Sequence, residues 1–263
     1  MRIDHDVHVH TCLSSCSHDP SMTAAAVVAK AAELGLRTVG IADHMWDAAV
    51  DGASDWYRPQ DAEHVLQTRR LLPAETLGVR VLVGCETEYC GGGKFGIAPA
   101  TAERFDFVLI PHSHFHMRGF TVPAELEHPD DIARLLVRRF NEVVASGLAT
   151  GIPHPFLALG VEGRLPDVLS RISDEQFADC FGRAAEAGVS MELHIDMFGG
   201  CGRQVPYGDE PFRRVMSLAK RAGCTFHFAS DAHALDDMPY VKNLAGYADA
   251  LGITADDIHP LFR

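Results

Sequence analysis

The sequence predicts an α/β barrel built on a parallel sheet, and three regularities carry that reading. Seven short apolar runs each end in His, Asp or Glu. Helical stretches close on a glycine and pass at once into the next apolar run, at Gly35, Gly78, Gly147, Gly188 and Gly223. A glycine just past a helix takes the left-handed conformation that ends the last turn. Connections before the apolar runs are minimal, whereas those after them are long: 11–20, 45–59, 87–104, 113–128, 155–172 and 195–208. Strand, long loop, helix, glycine and strand in that order make crossover units. In a closed parallel sheet the long loops and strand ends share one rim, which is where function sits.

The elements follow in chain order. Ile3–Val9 carries His8 and reaches His10, Val39–Ala42 leads to Asp43 and His44, and Val79–Gly84 leads to Glu86. Phe107–Ile110 leads to His112 and His114, and Ala149–Ile152 to His154. Val189–Leu193 carries Glu192 and reaches His194, and Thr225–Ala229 leads to Asp231 and His233. Seven strands leave the barrel short of the usual eight, with an irregular closing edge. Helices are expected near 21–34, 60–77, 129–146, 173–187, 209–222 and 238–251. Ser173-Asp174-Glu175-Gln176 is a capping box, Pro129 suits a first helical turn, and Asp209 precedes the helix of Pro211. Nothing resembles a linker, so residues 1–263 read as a single domain.

Composition narrows the function. Hydrophobic content of 47% and charged content of 22% are ordinary for a globular protein. A formal net charge of −13 argues against passive binding to long nucleic acids or anionic membranes. It leaves an anionic substrate open, because bound metal ions reverse a local field. Seven cysteines, odd in number and without C-x-x-C, read as free thiols. Cys12 and Cys16 lie near the first histidines but are not expected to ligate metal. No apolar stretch approaches the roughly 20 residues of a membrane span, and the chain opens directly into a strand. A cytoplasmic location is expected. Fifteen histidines, most of them at strand ends, are the unusual count.

In His8-Val9-His10 the two imidazoles point to one face of a strand, with Asp4 and Asp6 on the same face. Asp6 is placed to accept the imidazole N–H that a metal-bound His8 leaves free. With Asp43-His44 at the next strand end, the pattern is one of metal ligation. His8-Val9-His10-Thr11, Ala42-Asp43-His44, Gly84-Cys85-Glu86 and Ser230-Asp231-Ala232-His233 resemble the signature motifs of the PHP (polymerase and histidinol phosphatase) family. His18, His114 and Pro153-His154-Pro155 fall where that family places further ligands. The resemblance implies a distorted (β/α)7, TIM-like barrel with two or three divalent ions (Zn, Mn or Fe) at its C-terminal rim. It also implies phosphoester hydrolysis.

Carried over residue by residue, the resemblance assigns His8, His10, Glu86 and Asp231 to one metal. Glu86 would bridge to a second ion held by His114 and His154, and His18, His44 and His233 would hold a third. His112 is the alternative to His114 on the fourth strand. The implied reaction is hydrolysis of a small phosphomonoester, histidinol-phosphate-like, by a metal-bridging hydroxide, with three ions giving the pocket a charge of roughly +4. Asp231 is the candidate proton shuttle and His194 the candidate donor to the leaving oxygen. Lys94, Arg118 and Arg203 are the candidate grips for the phosphate. Glu192 reads as a neighbour of the ligands or a substrate contact, and His227 as a satisfied interior histidine. His5, His64, His128 and His259 read as packing or surface residues. Alternatives are cleavage of nucleotide or short oligonucleotide diesters, and a non-catalytic metal-binding regulatory barrel. Amide or lactone hydrolysis is disfavoured because Lys30, Lys94, Lys220 and Lys242 all miss the strand ends.

Overall fold

A computed structural model describes residues 1–201 and 205–263. Its strands are β1 (His5–Val9), β2 (Thr38–Ile41), β3 (His44–Met45), β4 (Arg80–Val83), β5 (Cys85–Thr87), β6 (Val108–Leu109), β7 (Gly151–Ile152), β8 (Ser190–His194) and β9 (Phe226–Ala229). Only Ala42 and Asp43 separate β2 from β3, and only Gly84 separates β4 from β5, so the described residues supply seven strand positions. All pair in parallel, in the orders β1-β2-β4 and β3-β5-β6-β7-β8-β9. The breaks in β2–β3 and β4–β5 transfer the pairing from one sheet to the other. The expected seven-strand parallel barrel with an irregular edge is what forms.

That irregular edge lies between β9 and β1, where side chains replace a backbone ladder. One bridge joins Val9 to Ala232, with His10 N donating to the Ala232 carbonyl at 3.0 Å. Beside it the Phe228 N–H donates to His5 Nε2 at 3.1 Å, and Ser230 donates from N and Oγ to Asp6 at 3.1 and 2.6 Å. Burial pushes the Asp6 carboxyl up to about 7, against the lowering effect of the Ser230 bonds. His5, expected as a packing residue, is fully buried as such and also supplies the acceptor that closes the seam.

The seam predicts a pH dependence. His5 Nε2 must be unprotonated to accept from Phe228, and burial lowers its pKa even though Asp4 opposes the shift. The unfolded chain, with an imidazole near about 6.5, takes up the proton first. The His5 contribution is therefore whole above that value and is lost as pH falls below it, towards the folded pKa. His5→Gln keeps an acceptor that does not titrate. Its melting temperature should fall less between about pH 7.5 and 5.5 than that of the wild type, as read by thermal denaturation.

Inside the barrel, missing Cβ atoms make room for large rings. A Cβ on Gly84 would lie 2.5 Å from the Phe107 ring, and one on Gly40 would meet Val7 and Phe107 at 2.8–2.9 Å. Phe107 fills the barrel floor against Phe262, ring centroids 5.6 Å apart. Gly84→Ala should therefore cost about 1–3 kcal/mol, measurable as a lower denaturant midpoint, because the buried ring has nowhere to retreat.

The helices are α1 (Ala24–Glu33), α2 (Ala62–Leu66), α3 (Thr68–Leu71), α4 (Pro99–Ala102), α5 (Pro129–Ala145), α6 (Leu165–Ser170), α7 (Asp174–Ala187), α8 (Glu210–Arg221) and α9 (Leu244–Ala250). The Ser173–Gln176 capping box forms, and Gly188 closes α7 at φ 70°. The helix expected over 60–77 ends instead at Leu71. Leu72 is extended at ψ 143°, as the residue before Pro73 is pushed to be. The stretch expected as one helix from 238 begins as a 3-10 turn, Met238–Asn243, before α9. The short α4 and α6 lie inside segments expected to be loop. Asp209 precedes α8 as expected, but its carboxylate accepts from Gly199 N at 2.8 Å instead of capping the helix. Buried Arg139 of α5 donates to the carbonyls of His112 (3.0 Å), Thr121 (2.7 Å) and Tyr89, pinning the loops that follow β5 and β6. None of the described helices is long and apolar enough to cross a membrane.

Candidate metal centre

Strand ends deliver the site. His8 and His10 leave β1, His44 opens β3 opposite Glu86 of β5, and His114, His154, Asp231 and His233 follow β6, β7 and β9. His154 and Asp231 sit at φ 31° and 49°, values that residues with side chains seldom adopt, so the backbone is strained where it turns two ligating groups inward.

Glu86 lies at the centre. Its Oε2 is 3.3 Å from His8 Nε2, 3.6 Å from His10 Nε2 and 3.2 Å from His44 Nδ1. Its Oε1 is 3.3 Å from His154 Nε2 and 3.5 Å from His114 Nε2. Asp231 Oδ1 approaches His10 Nε2 at 3.1 Å and His8 Nε2 at 3.5 Å. Burial works against the charge on Glu86, but the surrounding imidazoles, His44 and His8 first, hold it well below the usual carboxylate range. Asp231 is lowered well below its usual value in the same way, against burial, by His8, His10 and His194.

The hydrogen-bond network assigns the tautomers, and this tests whether the site suits a cation. His8 Nδ1 donates to Glu192 Oε2 at 2.9 Å, His10 Nδ1 to Ser14 Oγ at 3.1 Å, and His114 Nδ1 to Glu88 Oε1 at 2.6 Å. Ser113 Oγ donates to the His154 carbonyl, leaving it to accept from His154 Nδ1 at 2.9 Å, and His233 Nδ1 donates to the Asp231 carbonyl at 2.9 Å. Each of these rings therefore turns an Nε2 lone pair towards the cluster. Lone pairs then face one another: His8 and His10 Nε2 are 3.1 Å apart, His114 and His154 Nε2 3.3 Å. Asp231 Oδ1 and His44 Nδ1 are buried without a well-formed hydrogen bond. Donors at roughly 2.0–2.2 Å around one ion stand about 3.3 Å from each other, so these separations fit metal coordination. Three groups among the described residues bring their ligand atoms within 4.8 Å of one another: His8/His10/Asp231, Glu86/His114/His154 and His10/Cys16/His44/His233.

Most expected residues come together, and some do not. His18 is exposed and joins none of these groups. Cys16, set aside as a ligand, occupies that place; burial and the Asp231 and Glu86 carboxylates push its thiol above the ordinary range. Of the two histidines weighed on the fourth strand, His114 reaches Glu86. His112 instead accepts from Phe156 N at 3.2 Å and packs against Phe140 and Phe156. Asp6, expected to orient His8, is taken by the seam, and Glu192 orients that ring from across the barrel. His227 bonds Ser190 and Glu192 at 2.8 and 3.3 Å as a satisfied interior histidine.

His194 accepts from Asp196 N at 3.0 Å through Nδ1, which leaves its Nε2–H directed at Asp231 Oδ2, 3.6 Å away. Burial works against its charge, yet Asp231, Asp196 and Glu192 raise its pKa. It is buried and does not border the cavity beside the cluster, so its reach is to Asp231 rather than to a leaving group. Lys94 and Arg118 do not border that cavity either. Lys94 lies over the Trp46 ring at 5.4 Å, and Arg118 is spent on the carbonyls of Ala124 and Leu126 and on Glu127. Arg203 lies outside the described residues.

The cavity itself, about 460 Å³, is walled by Trp56, Tyr57, Met117 and Leu159, with Cys16, His44, Glu86 and Asp231 on its inner side. Sequence reading missed the aromatic wall, which sits in the long loop after β3. It also missed Glu88, buried beneath His114 and accepting from Tyr57 Oη at 2.6 Å. Glu86-x-Glu88 follows the same one-face rule as His8-x-His10, so that signal was available.

Comparison with known proteins identifies relatives of the chain as a whole. A probable phosphatase of Aliivibrio fischeri strain MJ11 is 24% identical over 258 residues, 98% of this chain and 89% of its own. The crystal structure of histidinol phosphate phosphatase from Lactococcus lactis, complexed with zinc, L-histidinol and phosphate, superposes with a TM-score of 0.63 at 15% identity, covering 95% of this chain and 94% of that one. A putative histidinol phosphatase from Listeria monocytogenes gives 0.63 at 13% identity, covering 89% and 97%. Residues 6–197, most of the chain, match the PHP domain, and the chain belongs to that family.

Proposed function

We propose that the chain is a metal-dependent phosphoester hydrolase acting on a small phosphomonoester, with a leaving group of the size and shape of histidinol. The observation that carries this reading is the position of Glu86, whose two oxygens face separate sets of imidazoles. A carboxylate so placed would be a ligand shared by two cation positions. His8, His10, Glu86 and Asp231 would hold one ion, Glu86, His114 and His154 a second, and the group containing His44 and His233 a third. Divalent cations bound there would supply Lewis acidity to phosphoryl oxygens and lower the pKa of water.

The chain's own residues do the rest. Glu192, Ser14, Glu88 and Ser113 hold the ring N–H groups outward and keep each Nε2 lone pair aimed at the cluster. Asp231, facing the cavity, is the candidate to move a proton at its carboxylate, with the His194 Nε2–H behind it. Neither Lys94 nor Arg118 lines the cavity, and His44, Glu86, His114, Asp231 and His233 on its wall would hold the cations that grip the phosphate. Trp56, Tyr57, Met117 and Leu159 offer an apolar wall to the leaving group and exclude water from one side. A cavity of this size suits a metabolite and not a polymer.

Assay of the purified protein on an aryl phosphate, histidinol phosphate and a bis-aryl diester, with Zn²⁺ or Mn²⁺ and after chelation, tests the reading. Monoester turnover that chelation abolishes and metal restores is expected. Turnover indifferent to chelation, or metal binding without turnover of any ester, would overturn it.

A further inference from the structure

The group on the mouth side of the cluster contains a sulfur. Cys16, His10, His44 and His233 each place a ligand atom within 4.8 Å of the others. His10 has a single Nε2 lone pair, and that nitrogen stands 3.1 Å from both His8 Nε2 and Asp231 Oδ1. One lone pair serves one ion, so His10 belongs to the His8/Asp231 group. What remains is Cys16, His44 and His233.

We propose that Cys16 is a metal ligand, its thiolate joining the His44 and His233 imidazoles around one divalent cation at the cavity mouth, where His18 was expected. Cys16 Sγ lies 3.0 Å from His233 Nε2, the nitrogen that the Nδ1–H···O=C bond to Asp231 leaves without a proton. A neutral thiol donating S–H to that nitrogen would explain this one contact. It would not explain why His44 Nδ1, 3.2 Å from Glu86 Oε2, is buried without a well-formed hydrogen bond or why the sulfur borders the cavity beside both imidazoles.

The loop is also built to present residue 16 and not residue 18. Thr11 and Ser14 anchor it on the Asp43 carboxylate, with bonds of 2.6, 2.7 and 2.7 Å. Ser17 N donates to the Ser14 carbonyl at 3.0 Å, and Ser17 Oγ to the His233 carbonyl at 3.2 Å. The turn is thereby tied to the residue whose ring faces the sulfur, and His18 is left outside.

A thiolate gives this position softer donors than the nitrogen and oxygen sets beside it, and softness favours Zn²⁺, Co²⁺ or Fe²⁺ over Mn²⁺ or Mg²⁺. Binding expels the thiol proton to solvent as the S–metal bond forms, with no change in oxidation state. This proposal rests on the reading of the cavity as a metal centre, and its test separates the two.

In the metal-free wild-type protein, alkylation of Cys16 by iodoacetamide, followed by peptide mass spectrometry, should slow by about an order of magnitude when Zn²⁺ is added. Exposed Cys12 serves as the internal control and should not change. Loading with Co²⁺ should produce a near-ultraviolet sulfur-to-metal absorption that Cys16→Ser lacks and Cys12→Ser and His18→Ala retain. Cys16→Ser should also lose one equivalent of bound Zn²⁺ by elemental analysis. Unprotected Cys16 in a protein that binds metal, or loss of the equivalent in His18→Ala instead, would overturn the proposal while leaving the metal centre standing. A protein that binds no metal at all would overturn both.

Discussion

Glu86→Gln should lower kcat on any accepted phosphoester by at least about a thousandfold while leaving the far-UV circular dichroism unchanged. The substitution keeps volume and planarity, so the barrel has no reason to collapse. It removes the carboxylate that faces both imidazole sets at once: His8, His10 and His44 through one oxygen, His114 and His154 through the other. An amide presents one acceptor and one donor. Whichever way it settles, an NH₂ meets Nε2 lone pairs on one side, and the carboxylate charge that would bridge two cations is gone. Elemental analysis should show reduced metal content alongside the kinetic loss. Wild-type turnover in Glu86→Gln would mean that the two imidazole sets do not act through a shared carboxylate, and the proposed reaction would lose its centre.

Much of this was legible because the signals are short-ranged. Strand ends bearing His, Asp or Glu, and a glycine before five of the six following strands, are local patterns whose consequences a parallel barrel fixes. Gly188 closing α7 and the Ser173 capping box form as written in the sequence. Errors arose where the outcome depends on contacts between distant segments. Asp6 and Glu192 both lie on strands within reach of His8, and only the barrel's curvature decides that Glu192 meets Nδ1 while Asp6 turns to Ser230. Lys94 and Arg118 sit on long loops, but their charges are used by Trp46 and by loop carbonyls, and no local pattern reveals that. His18 and Cys16 are two residues apart on one loop, and the hydrogen bonds of Ser14 and Ser17 select between them. The short helix that ends at Leu71 was, by contrast, readable: Pro73 marks the stop.

Glu192→Gln is expected to weaken metal binding by about 10–100-fold and to lower activity to a similar degree, although Glu192 touches no proposed metal position itself. Glu192 Oε2 accepts from His8 Nδ1 at 2.9 Å and lies 3.3 Å from His227 Nε2, while Oε1 accepts from the His154 backbone N–H at 3.0 Å. One carboxylate thus fixes the His8 ring in one metal-competent group and the strained backbone of His154 in the other. Glutamine supplies a single acceptor, so it satisfies either His8 or His154 and turns a donor on the other. A freed His8 can adopt the opposite tautomer, which places a proton on the nitrogen that must hold the ion. The loss should therefore appear as a higher metal concentration for half-maximal activity, with kcat substantially restored at saturating Zn²⁺. Glu86→Gln should show no such rescue. Equal metal affinity in Glu192→Gln and wild type, measured by competition with a chelating dye, would refute the positioning role and return His8 to the control of its own strand.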